Sequence, residues 1–367
     1  GSTDGSSEIL EQYAREDTRV TVLRQQNQYA GVARNAGLEI AVGEYIIFWD
    51  SDDYFCLDAL EKMYTRAKSF QADICVCDAQ DFDAESGGMI SHLYLHKPFP
   101  KEEVFNIQTY KSYIYTFTAP VPWNKLIRRK LLVDEGIRFQ EIKHINDVLG
   151  TFTALSCAKR IVLLPEKLIF YRANRRDSLM STYGNKGDSV FLAYEQLKRD
   201  LERRGFLSDE EILRSFRNKV LGIYIFTMKY CNTFEQYTAY YRDMVDHRLV
   251  YMGLEDLPEG YIFNQANEEK YQRIRELSPE EYVFWQFQKL NLNNTILKER
   301  LVKEKDRIGR QKKKIAANRE RIRRQKKKIH ECHAVIARQK ELLQLKTVKM
   351  AIRFSKWLGK WRLGKRR

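Results

Sequence analysis

Up to about residue 80 the chain alternates two kinds of hydrophobic spacing. Apolar residues three and four apart predict helices over residues 6–15, 31–41 and 57–70, and short apolar runs predict strands at 20–23, 45–49 and 74–77. The run Tyr45-Ile46-Ile47-Phe48-Trp49 has no polar alternation, as expected of a strand covered on both faces. Strand and helix in turn give the βαβ rhythm of a parallel sheet packed by helices. Residues 81–122 are irregular and end in Ala119-Pro120-Val121-Pro122, which predicts connecting loops. Order returns with a helix around Lys130, a polar turn over 140–146, a helix over 147–157 and a strand over 160–164. Beyond Tyr183 the spacing is helical, with aromatic-rich amphipathic stretches at 190–204 and 210–230.

A strong helix start follows at Ser278-Pro279-Glu280-Glu281, where serine caps, proline occupies the first turn and Glu281 completes a capping box. No proline follows, and the pattern predicts one helix to about residue 346. Leu301, Ile308, Ile315, Ile322, Ile329, Ile336 and Leu343 recur at every seventh residue, as the first seam position of a heptad. The second seam position holds Gln311, Asn318, Gln325, Cys332 and Gln339, so half of the usual apolar core is polar. Flanking residues such as Arg307, Lys312, Lys314, Arg319, Arg321 and Lys326 are basic, which opposes parallel self-pairing.

At 367 residues the chain exceeds one ordinary core, and 43% hydrophobic residues supply a globular interior. No stretch approaches the roughly 18 uncharged apolar residues of a membrane span, which excludes a polytopic membrane protein. The net charge of +15 suggests a nucleic-acid partner until its location is considered: the basic excess lies from Lys298 onward, in the tail. Of the six cysteines only Cys75 and Cys77 are close, two apart on one strand face, as buried reduced thiols in a cytoplasmic protein would be.

The candidate chemistry lies at Trp49-Asp50-Ser51-Asp52-Asp53, between a predicted strand and a predicted helix. Open α/β sheets bind ligands beyond the carboxyl ends of their strands, so three carboxylates there suit a hard divalent cation that neutralises a departing pyrophosphate. Alone, the same four residues serve equally as a solvated loop or a helix cap. Upstream stand Ala33-Arg34-Asn35-Ala36-Gly37-Leu38 and, opening the chain, Gly1-Ser2-Thr3-Asp4-Gly5-Ser6.

In this series the chain resembles family-2 glycosyltransferases of the GT-A fold, in a form common in bacterial surface-polysaccharide clusters. The first turn matches the end of an Asp-Asp-Gly-Ser-x-Asp motif. Asn27 then precedes Gly31-Val32-Ala33-Arg34-Asn35, and Gly43-Glu44-Tyr45 leads into the Asp50 motif. Where the family usually has glycine, two residues after Asn27, this chain has Tyr29. The likeness continues at Pro122-Trp123-Asn124-Lys125-Leu126, Asn146-Asp147-Val148, Tyr171-Arg172 and Ser178-Leu179, covering about residues 1–183.

The resemblance implies Asp147 as the base that takes the acceptor hydroxyl proton in an inverting displacement, with Asn146 standing where the family has glutamate. It implies Asp52 and Asp50 as ligands of Mn2+ or Mg2+, and Asp4, Arg34, Asn35, Asp50, Asp53 and Arg172 around the donor. Trp123, Asn124 and Lys125 are expected to face the acceptor. Each has a plainer reading: Arg34-Asn35 as a helix-surface pair, Trp123 as a packing residue, Arg172 as an ion-pair partner and Asp147 as a helix start. By the same resemblance a first strand, helix and acidic pair are expected ahead of Gly1, and the sequence as given is expected to bind donor poorly and be inactive.

The whole reads as an α/β chain of GT-A type, Rossmann-like and mostly parallel with its first strand missing, over residues 1–184. A helical subdomain at 185–277, a long basic helix or coiled coil at 278–346 and an amphipathic basic tail at 347–367 follow. The tail carries Met350, Phe354, Trp357, Leu358 and Trp361 on one helical side, interleaved with Lys349, Arg353, Lys356, Lys360 and Arg362, which suits an anionic membrane interface. The expected partners are a nucleotide-sugar donor (UDP first), a saccharide or lipid-linked acceptor, the inner face of the plasma membrane and, for the coiled coil, an acidic protein. The competing class is a non-enzymatic basic coiled-coil scaffold or nucleic-acid binder with a degenerate sugar-nucleotide fold; the tail lacks aromatic interleaving before Phe354, which argues against nucleic acid.

Overall fold

Residues 2–90, 94–173 and 187–364 are described by the structure, a computed structural model, with side-chain surroundings given up to residue 356 apart from Gly187. The chain divides into two compact units, Gly1–Val283 and Phe284–Arg367.

In the first unit, α1 (Ser6–Glu16) and α2 (Tyr29–Ile40) precede two short strands, β1 (Tyr45–Ile46) and β2 (Tyr54–Phe55), which flank the acidic motif. Then α3 (Ala59–Ser69) leads into β3 (Ile74–Asp83), β4 (Met89–Ile90), β5 (Val104–Phe105), β6 (Lys125–Arg128), α4 (Arg129–Asp134), α5 (Val148–Cys157) and β7 (Ile161–Ala173). The sheet runs β1-β6-β3-β7-β2, with β4 added to β3 and β5 to β7. Its long central pair is β3 and β7, parallel from Ile74 opposite Ile161 to Asp83 opposite Ala173, with irregularities around Asp78.

That pair is the one parallel pairing among the described residues; β1–β6, β2–β7, β3–β4, β3–β6 and β5–β7 are antiparallel. The expectation of a mostly parallel sheet is therefore corrected to a mixed one. The reason is that alternating strand and helix forces a parallel neighbour only when both strands pair directly, and β2 instead lies at the sheet edge against β7. The strand expected at residues 20–23 is not among the described strands, and Val20 and Leu23 are exposed. Residues 81–122, read as loops, contain β4, β5 and a short 3-10 turn.

The core explains why α3 sits where it does. Ala59, Met63 and Ala67 recur every four residues and press on Cys75, Cys77 and Ala79 of β3 and Val162 and Ile169 of β7. All six cysteines are free thiols, and burial pushes the Cys75 thiol up to about 12. The same unit includes the helices that follow: α6 (Gly187–Arg203), α7 (Glu210–Thr227), α8 (Phe234–Asp243), α9 (Leu249–Met252) and α10 (Gln265–Glu276). They fasten to the sheet region through Lys111 to Asp209 at 2.7 Å, Thr153 to Asp200 at 2.9 Å and the Tyr115 amide to the Ser215 hydroxyl at 3.1 Å. Asp209 also caps α7, accepting from the Glu211 and Ile212 amides.

A single helix, α11 (Pro279–Gly364), starts in the first unit and forms the second. Its capping box is closed as the sequence predicts: the Glu281 amide donates to Ser278 Oγ at 3.2 Å and the Ser278 amide to Glu281 Oε2 at 2.8 Å. The side chains of Trp357, Leu358, Lys360, Trp361 and Arg362, on which the membrane reading of the tail rests, lie outside the described residues, as do Ser178 and Leu179.

Candidate active site

After β1 the chain passes Trp49, which stacks on Phe55 at 3.9 Å, and turns through Asp50-Ser51-Asp52-Asp53 into β2, the Asp53 amide donating to the Asp50 carbonyl. Two groups of side chains meet at this turn. They share Asp50.

The first group runs through Arg34, which is 12% exposed. Its Nη2 donates to Asp50 Oδ1 at 2.9 Å and its Nη1 to Asn146 Oδ1 at 2.8 Å, so one guanidinium ties the acidic turn to the residue before Asp147. Burial pushes the Asp147 carboxyl up, while the positive charge of Arg34 opposes the rise. Asn35, the next residue on α2, is buried and clasps the Phe139 backbone from both sides, donating to its carbonyl at 2.9 Å and accepting from its amide at 2.8 Å. Gly31, one turn earlier, lets α2 approach so closely that a Cβ there would stand 1.9 Å from the Gln140 carbonyl oxygen. The sequence Gly31-x-x-Arg34-Asn35 thus docks α2 on residues 139–146 and aims Arg34 at Asp50 and Asn146.

The second group surrounds Asp53, which is 8% exposed. Asp53 Oδ1 accepts from the Arg172 amide at 3.0 Å, while Oδ2 is buried without a hydrogen-bond partner. Burial first, then the charges of Asp52, Asp50 and Asp81, push this carboxyl up to about 7. The same four carboxylates, after burial, push the Tyr171 hydroxyl up to about 12. Arg172 Nη2 donates to the Tyr54 hydroxyl at 3.2 Å, and its Nε is also buried without a partner. A half-satisfied acid and a half-satisfied guanidinium therefore stand at the end of the sheet.

Whether these residues fit a cation follows from the donor set. Among the described residues no three Asp, Glu, His or Cys side chains form a cage for a metal ion, and Asp50 is already paired with Arg34. Magnesium-like ions are commonly held by one or two carboxylates together with substrate phosphates, and the open Asp53 oxygen amid repelling carboxylates fits that shared mode. It does not fit an ion held by protein alone.

Three expectations for the acceptor side are corrected by burial. Trp123 is 3% exposed and packs edge-on to Tyr94 at 4.8 Å and parallel to Tyr171 at 6.1 Å. Asn124, fully buried, donates to the Cys77 carbonyl at 2.9 Å. Lys125 is fully buried as well, and its ammonium donates to Asn124 Oδ1 and to the carbonyls of Val121 and Ala119 at 2.7 to 2.9 Å. Side chains so deeply buried pack behind the site and do not face an acceptor from its surface. Asp4 stands apart from both groups: its carboxylate accepts from the Ser6 hydroxyl and amide at the start of α1, and these bonds hold it below the usual range.

Sequence reasoning also missed residues. Lys219, on α7, lies over the Phe152 ring at 5.6 Å, one helical turn beyond Asp147, and the charge of Asp147 partly offsets the burial that lowers its ammonium to about 8. Asp81 and Tyr94 hydrogen-bond beside Asp53. Asp81 was hidden because the predicted strand stops at residue 77, whereas β3 carries on to Asp83. Nothing in the residues around Lys219 marks it; only the tertiary fold brings it to Asp147.

Residues 1–135 match glycosyl transferase family 2. Residues 1–135 thus carry a glycosyl transferase family 2 domain. The family match contains Arg34, Asn35 and the Asp50 turn, and Asn146, Asp147 and Arg172 lie beyond it. The putative glycosyltransferase EpsH of Bacillus subtilis is 30% identical over 226 residues, 60% of this chain and 62% of EpsH. The cholesterol galactosyltransferase of Borreliella burgdorferi is 32% identical over 218 residues, 57% of this chain and 59% of its own. The chain thus spans about three fifths of the length of these curated relatives. A crystal structure of S. aureus TarS with UDP-GlcNAc aligns with a TM-score of 0.42 at 20% identity, covering 69% of this chain and 79% of that one.

Proposed function

We propose that the protein is a glycosyltransferase that moves a sugar from a nucleotide-sugar donor, UDP-linked first among the choices, to a saccharide or lipid-linked acceptor in cell-surface polysaccharide synthesis, with inversion and with Mn2+ or Mg2+. The observation that carries this reading is the pairing at the sheet end of an unpartnered buried Asp53 oxygen with an unpartnered buried Arg172 nitrogen, matching a cation and a phosphate respectively. A divalent ion bound there would neutralise charge on the departing diphosphate. Asp52 and Asp50, with the open Asp53 oxygen beside them, would hold the cation. Arg34 holds Asp50 in place and keeps the base region at a fixed distance from it. Asp147, made more basic by burial, accepts the acceptor hydroxyl proton on the opposite face of the sugar.

The relatives' names support the reaction class and leave the sugar open, since one is a galactosyltransferase and another, 27% identical over 225 residues, is the poly(ribitol-phosphate) beta-N-acetylglucosaminyltransferase TarS of Staphylococcus aureus. The test is a panel of nucleotide sugars assayed on the full gene product with Mn2+, Mg2+ or chelator. Asp52→Asn should remove most turnover with unchanged circular dichroism. Full activity of Asp52→Asn, or undiminished turnover in excess chelator, overturns the metal assignment; no turnover of any nucleotide sugar under any condition overturns the transferase reading.

A further inference from the structure

The seven-residue spacing of Leu301, Ile308, Ile315, Ile322, Ile329, Ile336 and Leu343 falls within one continuous helix, α11, and each of these side chains is 43–62% exposed. Seven residues fall about 20° short of two full turns, so over the six intervals the stripe slides roughly 120° around a straight helix. A flat bilayer can meet only part of such a stripe. A second helix that winds left-handed along it can meet all of it, over about 63 Å.

The residues beside the stripe point the same way. Gln311, Asn318, Gln325 and Gln339 occupy the second seam position, and burying amides in lipid leaves them unsatisfied, whereas facing side chains of a helix can hydrogen-bond them. Charge then selects the kind of helix. Between residues 305 and 349 neither flank of the seam carries an acidic residue, and the flanks include Lys312, Lys314, Arg319, Arg321, Lys326 and Lys328. A second copy of this chain would oppose lysine and arginine to themselves in either orientation.

We propose that residues 301–343 form one strand of a two-stranded coiled coil whose other strand is an acidic helix of another protein, with Ile or Leu at the first seam position, amides at the second and Glu or Asp on both flanks. The proposal is independent of the transferase reading.

The probe is a synthetic 42-residue helix with Ile and Gln at the seam and Glu on both flanks, titrated onto the full chain; its counterpart carries Lys on the flanks. The Glu peptide should bind one to one, weaken by about tenfold or more between 50 and 500 mM salt, and lose about tenfold in affinity for the double variant Ile315→Asn, Ile322→Asn at unchanged helicity. The Lys peptide should not bind. The proposal is overturned if the Glu peptide fails to bind at about 100 μM in low salt, or if the double variant binds it equally, which would reduce the contact to bulk charge. It is also overturned if the chain alone sediments as an oligomer whose copies cross-link through oxidised Cys332 at the seam. Anionic vesicles that bind a chain lacking residues 347–367, and lose that binding with the double variant, would make the stripe a membrane face instead.

Discussion

Asp147 is under two opposed influences, burial that raises its proton affinity and the Arg34 charge that lowers it. A base whose affinity is raised toward neutral pH suits proton abstraction better than an ordinary exposed carboxylate. Turnover should therefore rise with pH through the raised Asp147 value, since only the ionised form accepts a proton. Asp147→Asn should lower transfer by about 10²–10⁴ and leave donor affinity nearly unchanged. An equal loss of donor affinity, measured by calorimetry, would give Asp147 a structural role. Two residues earlier, Ile145 has φ 59°, a conformation that β-branched residues rarely adopt, so the segment carrying Asn146 and Asp147 is held against local preference. Tyr29, where the resemblance expects glycine, likewise has φ 67°, in the left-handed region that favours glycine.

Lys125 supplies the stability counterpart. Burial lowers its ammonium from 10.5 to about 7, so between those values the unfolded chain binds more protons than the folded one, and stability contributed by this group rises with pH above 7. Urea denaturation at pH 7, 8 and 9 should show that rise, and Lys125→Met should be flatter by about 1 kcal/mol per pH unit while less stable throughout, because the carbonyls of Ala119 and Val121 lose their donor. Equal slopes in the two proteins would mean that the ammonium is not desolvated.

At the scale of elements, Gly31 and Gly37 on α2 separate packing from propensity. A methyl at Gly31 would strike the Gln140 backbone, whereas one at Gly37 meets nothing within 4 Å. Gly31→Ala should cost about 2–4 kcal/mol and disturb turnover by shifting Arg34, while Gly37→Ala should be neutral or stabilise by about 0.5–1 kcal/mol. Similar effects of the two changes on thermal unfolding would dissolve the docking argument. The contrast also marks what was legible in the sequence. Helices α1, α2, α3, α5, α6 and α7 and the capping box of α11 follow from local spacing, because their apolar faces and caps are written within a few residues of each other. The sheet order is not local: β1 and β2 are two residues each and are defined by partners far away in the chain. The candidate site divides in the same way. Arg34, Asp50 and Asp147 stood out as motifs, whereas the buried fate of Trp123, Asn124 and Lys125 depended on which way β6 faces, and Lys219 on the docking of α7.

At the scale of the whole molecule, the two long-range surfaces of α11 call for different partners, because a narrow rotating stripe and a broad terminal face obey different geometry. No helix among the described residues is long and apolar enough to cross a membrane. Met350 and Phe354 are exposed at 72% and 61% and alternate with Lys349, Arg353 and Lys356, a combination suited to insertion among anionic headgroups. We propose that this terminal segment holds the protein at the inner face of the plasma membrane, next to a lipid-linked acceptor. Deleting residues 347–367 should then release the protein from vesicles containing anionic lipid, while donor hydrolysis and binding of the acidic seam peptide persist. Neutral vesicles should bind the intact chain much less, because each basic residue near an anionic surface contributes about 1 kcal/mol. If the truncated chain sediments with anionic vesicles as well as the intact one, the anchor lies elsewhere. If neither form binds, the terminal segment has no membrane role, and the acidic helix on the seam becomes the contact through which the protein would be localised.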